Sequence, residues 1–127
     1  MTENQITTVL ARNKMVRARA GEIPLPKIVG FAFGDGGVDS LGNVIAPEEN
    51  EVTLRNELLR KSYDAYSMLD ETTCRYECML GEVELQNAEI SEIGIYDEEG
   101  DLLFIKRFSK KRKDAGLKMT FWIKDVF

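Results

Sequence analysis

Ionisable side chains are plentiful in this sequence, but the types that most often do chemistry are scarce. It holds 22 aspartates and glutamates, 17 lysines and arginines, two cysteines and no histidine. Without histidine it lacks the commonest general base near neutral pH and the commonest metal ligand. Carboxylate and thiol chemistry is left. A pair such as Asp35 and Glu92, or Glu57 and Asp97, has the makings of a glycosidase site, where one carboxyl protonates the leaving oxygen and the other attacks or activates water. With so many carboxylates some pair always presents itself, so this signal is weak. Cys74 and Cys78 sit four residues apart, which in a strand puts them on one face roughly 13 Å apart. A disulfide needs Cα atoms within about 7 Å, so both read as small apolar groups rather than redox partners or metal ligands. Gly34-Asp35-Gly36-Gly37 has the glycines of a phosphate-cradling loop but neither the Lys-Ser/Thr of a P-loop nor the full dinucleotide fingerprint. The residues thus predict a protein that is not an enzyme and carries no metal or cofactor.

Composition points the same way. With 127 residues, 43% hydrophobic and 31% charged, residues 1–127 read as one folded domain. No apolar run approaches the ~20 residues of a membrane span, so no membrane partner is predicted. The opening Met-Thr-Glu-Asn-Gln lacks the basic and apolar regions of a signal peptide, and the product is expected to stay in the cytosol that makes it. A net charge of −5 argues against nucleic acid. The charge is uneven: residues 106–118 hold Lys106, Arg107, Lys110, Lys111, Arg112, Lys113 and Lys118 against Asp114 alone. Such a basic connection on an acidic body is either a solvated linker or a surface that docks an acidic partner or a second copy.

The elements that must position these residues follow from periodicity. Thr2-Glu3-Asn4-Gln5 fits a capping box. Ile6, Val9, Leu10, Val16 and Ala20 suggest an inward stripe, predicting a helix over about 3–20, with Arg12, Arg17 and Arg19 outside and Gly21 as the stop. Lys27 to Phe33 reads as a strand ended by the glycine turn, whose glycines suggest a conformational role. Residues 38–52 read as a long exposed loop. Thr53 to Arg60 reads as a short helix with Leu54, Leu58 and Leu59 inward and Glu57 pairing with Lys61. The chain then turns β-rich: Cys74, Tyr76, Cys78 and Leu80 share a face, and a parity switch at Gly81 predicts a bulge or break. Glu92 to Phe108 reads as a hairpin, with Gly100 at positive φ in an acidic turn. Leu117 to Lys124 alternates cleanly as a last strand. The predicted fold class is α+β: an N-terminal helix and a short second helix packed on an antiparallel sheet.

Four blocks carry a resemblance. The opening helix stops at small residues. Phe33-Gly34-Asp35-Gly36-Gly37 leads from a strand into a turn. Leu54-Arg55-Asn56-Glu57-Leu58-Leu59-Arg60 is a Leu-x-Asn-Glu block. Glu92-Ile93-Gly94-Ile95-Tyr96-Asp97 opens the hairpin. In this order and spacing, from about Ile6 to Phe127, the chain resembles the phage tail-collar fibre domain, the N-terminal attachment domain of many tail fibres on contractile phages and phage-like bacteriocins. Two departures stand out: the family domain usually heads a longer fibre, whereas this chain ends at Phe127, and Lys110-Lys111-Arg112-Lys113 replaces a Lys-Pro-type element.

The resemblance implies a structural virion or tail component that joins tail fibre to baseplate, assembled in the bacterial cytoplasm into a particle. A homo-oligomer, by likeness a trimer, is also implied. Alternatives are an assembly factor, chaperone-like, for tail fibres, or a cell-wall glycan hydrolase. Candidate partner-binding residues are Tyr63, Tyr66, Lys110, Lys111, Arg112, Lys113, Trp122 and Phe127. Gly34, Asp35, Gly36, Glu57, Glu92, Gly94 and Gly100 are expected to define turns and fold, with Glu57 and Glu92 capping backbone donors or pairing with Arg55, Arg60 or Arg107.

Overall fold

The computed structural model describes residues 4–127. In chain order these form β1 (Gln5–Thr7), α1 (Val9–Arg19), β2 (Ile28–Gly34), β3 (Glu57–Ser62), β4 (Ala65–Asp70), β5 (Thr73–Leu80), β6 (Glu89–Asp97), β7 (Leu102–Arg112) and β8 (Met119–Val126). Five strands make an antiparallel sheet in the order β1-β7-β6-β2-β3, and three make a second in the order β4-β5-β8. Phe31, Phe33, Ile93, Ile95 and Phe104 of the first sheet pack on Cys78, Leu80, Phe121 and Ile123 of the second, forming the main core. The molecule is therefore mainly β, not the α+β architecture with two helices that the sequence predicted.

Both helix predictions need correction. The capping box reaches into residues outside those described. Gln5–Thr7 is a strand, registered with Lys106, Ile105 and Phe104 of β7. The helix begins after Thr8, whose hydroxyl accepts the amide of Ala11 at 3.1 Å. Its buried positions are Ala11 and Lys14, while Val9 and Val16 are exposed. The inward stripe is thus displaced from the predicted one, because a lysine occupies a place that a pattern of apolar residues cannot reveal. The stop is as predicted: Ala20 caps the helix and Gly21 follows at φ +82°.

The second predicted helix is absent, since Glu57–Ser62 is strand β3. Its leucines, glutamate, arginine and lysine favour helix only weakly, and one or two turns of isolated helix are marginal. Pairing with β2, from Gly34↔Glu57 to Gly30↔Ser62, overrides that preference. Glu57 consequently meets Arg60, at 2.8 Å, and Lys61 bonds Glu84 instead.

The β-rich half follows the sequence closely. The hairpin is β6 and β7, with Gly100 at φ +86° in its turn. β5 stops at Leu80, and Leu85 and Asn87 take positive φ in the following turn, so the parity switch marks a break. β8 buries Phe121 and Ile123 and turns Trp122 outward.

Candidate docking surface and its buried ionic supports

Glu92 lies on the central strand β6 with no exposed surface. One carboxylate oxygen accepts the amide of Arg55 at 3.0 Å and Nε of Arg107 at 3.2 Å. The other accepts the amides of Gly36 at 3.0 Å and Asn56 at 2.9 Å. Arg107, equally buried, turns its remaining fork to both oxygens of Glu51 at 2.7 and 2.9 Å. That hydrogen bond holds the Glu51 carboxyl below the usual carboxylate range. The predicted capping and pairing role of Glu92 is met in full, and four donors use its capacity. The carboxylate therefore has no free lone pair with which to act on a glycan.

The glycines of the Gly34–Gly37 turn have a different role from the one predicted. None has positive φ among the described residues. They allow close approach instead: a Cβ on Gly36 would lie 2.7 Å from Cβ of Arg55 and 2.9 Å from the Glu92 carboxylate. Gly94 is similar, with the Phe104 carbonyl 2.6 Å from where its Cβ would stand. Asp35 accepts the side-chain amide of Asn56 at 2.6 Å, tying the same turn to the same block.

A second ionic support joins the helix to the hairpin. The Lys14 ammonium, its side chain only 9% exposed, donates to Asp97 at 2.6 Å, Asp101 at 2.7 Å and Glu99 at 2.8 Å. Burial opposes its charge, but the three carboxylates outweigh burial and raise its pKa. Oxygens of Asp97, Glu99 and Asp101 lie within 4.8 Å of one another, which resembles a hard-cation site. The lysine ammonium already stands among them as the compensating cation.

The predicted partner-binding residues separate into two groups. Tyr63, Tyr66 and Phe127 line one cleft of about 420 Å³, together with Tyr76, Leu25 and Asp125. Tyr63 meets Tyr76 edge-on at 5.2 Å and Tyr66 at 6.2 Å between ring centroids. Trp122 and Lys111 line a second groove with Phe108 and Met119. The basic run is not a loop: Lys110, Lys111 and Arg112 end strand β7. Lys110 pairs with Glu89 at 3.2 Å, Arg112 with Asp114 at 2.9 Å, and Lys111 stands over the Phe108 ring. Lys113 has no exposed surface, and its ammonium donates to the Glu82 carbonyl at 3.3 Å. Lys113 is therefore a strut of the fold, and only Lys110 and Lys111 offer unburied charge without a second tie.

Both cysteines are free. Cys78 is buried, its thiol pushed up to about 12 chiefly by desolvation, as suits an inert core group. Sequence reasoning missed Lys14, Glu51, Tyr76 and Asp125. For Asp125 a signal existed: continuing the inward parity of Phe121 and Ile123 by two residues places it on the core-facing side of β8. For Glu51, within a loop without periodicity, none did.

The chain matches no protein-family model, no curated protein and no solved structure.

Proposed function

We propose that this protein is a structural component of a virion or phage-tail-like particle, attaching tail fibre to baseplate by protein–protein contacts. The observation that carries the reading is the convergence on Glu92. The Gly34–Gly37 turn, the Leu54–Arg60 block and the hairpin strand are far apart in sequence, yet Gly36, Arg55 and Asn56 all bind that one carboxylate. Three of the segments that resemble the tail-collar domain thus meet at one buried carboxylate, which supports reading them together.

The surface supports attachment as the mode of action. The three-stranded sheet has two unpaired edges, β4 and β8. Every residue of β4 is exposed, and Ala65 to Leu69 carry no charge. Soluble proteins usually guard such edges with charge, proline or a bulge; β4 has these only at its end, where the register shifts between Met68 and Asp70, and the stretch before it suits strand addition by another chain. Trp122 stands exposed on the outer face of β8 beside Lys124, an aromatic with a charged neighbour as at many contact surfaces.

Localisation of the labelled chain by electron microscopy of purified tails tests the reading. The expected result is density at the fibre–baseplate junction in a fixed number of copies, three per fibre if the trimer holds. An assembly factor would be found during assembly and be absent from finished tails. For the basic segment, Lys110→Glu with Lys111→Glu is the informative pair, since Lys113 is structural. Folding is expected to survive, as both side chains are exposed, while incorporation falls. Normal incorporation removes the segment from the interface.

A further inference from the structure

Asp125 differs from the buried or half-buried charges described above, which are either paired with an opposite charge or, like Lys113, hydrogen-bonded to a carbonyl. Lys14, Glu92, Arg107 and Glu51 each have opposite charges in contact. Asp125 lies opposite Cys74 in the β5–β8 register and lines the tyrosine cleft. Among the described residues its carboxylate makes no hydrogen bond and no ion pair within 4.0 Å. Burial alone raises its pKa, with no neighbouring group offsetting it. The other charges lining the cleft do not help. Lys14 and Asp97 are committed to each other, and Lys27 is exposed and not within ion-pair distance of Asp125. An uncompensated charge in a mostly apolar cleft is a cost to the isolated fold.

The rest of the cleft matches what a long cationic side chain needs. Its volume lies in the ordinary range for binding sites. Three tyrosines line it, and tyrosine ring faces attract cations, while Leu25, Met15 and Phe127 offer apolar wall to an aliphatic stem. We propose that the cleft receives a lysine or arginine side chain of a partner protein, with Asp125 as its counter-ion and the stem lying against Tyr63, Tyr66 and Phe127. A protein fits better than a free amine because the mouth continues into exposed apolar surface. Leu25, Tyr66 and Phe127 are 59%, 60% and 67% exposed there, area that a small molecule would leave uncovered. This deepens the attachment reading and rests on it only for the partner's identity.

The test is titration of the isotope-labelled whole chain, followed by amide chemical shifts, with four acetylated, amidated tripeptides: Leu-Lys-Leu, Leu-Arg-Leu, Leu-norleucine-Leu and Leu-Glu-Leu. The cationic peptides should shift Tyr63, Tyr66, Tyr76 and Asp125. Norleucine should bind about tenfold more weakly, the worth of one charge-assisted hydrogen bond, and glutamate not at all. Asp125→Asn should erase the advantage of lysine over norleucine while leaving the rest of the spectrum in place. The proposal is overturned if norleucine equals lysine on the native chain, a comparison that needs no variant. It is also overturned if cationic peptides at about 5 mM leave the cleft unshifted, or if lysine amide alone binds as tightly as the tripeptides. Peptide binding by a chain absent from tails would sink the attachment reading and keep the site. A native chain found in tails that binds lysine and norleucine peptides equally would do the reverse.

Discussion

Glu92 survives as a charge without exposed surface because each of its oxygens has two donors, and this makes it the most sensitive position in the chain. Glu92→Ala leaves three backbone amides and the Nε–H of the buried Arg107 without an acceptor. It should cost about 3–5 kcal/mol, as breaking a buried pair does. Arg107→Met should cost clearly less, since Glu92 keeps its three amides and Glu51 turns to water. Urea unfolding of both variants checks the order; a reversed order would mean that the arginine, not the carboxylate, holds the turn. Asp125 behaves oppositely. Its pKa is raised in the fold, so the native state binds its proton more readily than the unfolded chain. Stability from this group is full below the ordinary value of 3.8 and is lost as pH rises through the folded pKa. Asp125→Asn should therefore stabilise at neutral pH, with the gain vanishing in acid, as read from urea midpoints against pH. Glu51 and Glu84, whose pKa values are lowered, work in the other direction: their contribution is present above 4.5 and fades as pH falls below it.

At the scale of elements, α1 is held by its ends and one lysine rather than by an apolar face. Thr8 caps the helix and also donates to the Leu102 carbonyl at 3.0 Å. Thr8→Ala should cost about 1–2 kcal/mol for the lost cap and the orphaned carbonyl. Lys14→Met should cost about 3 kcal/mol, the lower end for a buried pair, because Glu99 and Asp101 keep contact with water. Limited proteolysis should then cut within 9–19 before the sheets, whereas uniform cleavage would show that the helix is integral to the core. The β half was legible because alternation reports directly on burial: Phe121 and Ile123 point in and Trp122 out. The helices were not. α1 has few buried apolar residues to show a stripe, and β3 uses helix-favouring residues whose state is decided by the open edge of β2. Of the candidate site, Tyr63, Tyr66 and Phe127 were legible as surplus aromatics. Lys113 was misleading, since a buried lysine bonded to a carbonyl looks the same in sequence as a solvated one.

At the scale of the whole molecule, the buried ionic supports tie the helix, the hairpin and the first sheet together. The first sheet has β6 at its centre, tied on both sides, and ends in β1 and β3; the second ends in β4 and β8. On the docking proposal, strand addition at β4 would leave the Glu92 support untouched, because that carboxylate lies on the central strand of the other sheet.

The strand order also has a temporal consequence. Gln5–Thr7 must register with residues Phe104–Lys106, and β2 with β6. A ribosome delivers the earlier member of each pair long before the later one. Phe31 and Phe33 must wait uncovered until the hairpin emerges, and nonlocal pairing of this kind is slow to close. Nascent chains arrested before Phe104 should be digested throughout by added protease, and resistance should appear abruptly once β7 clears the exit tunnel.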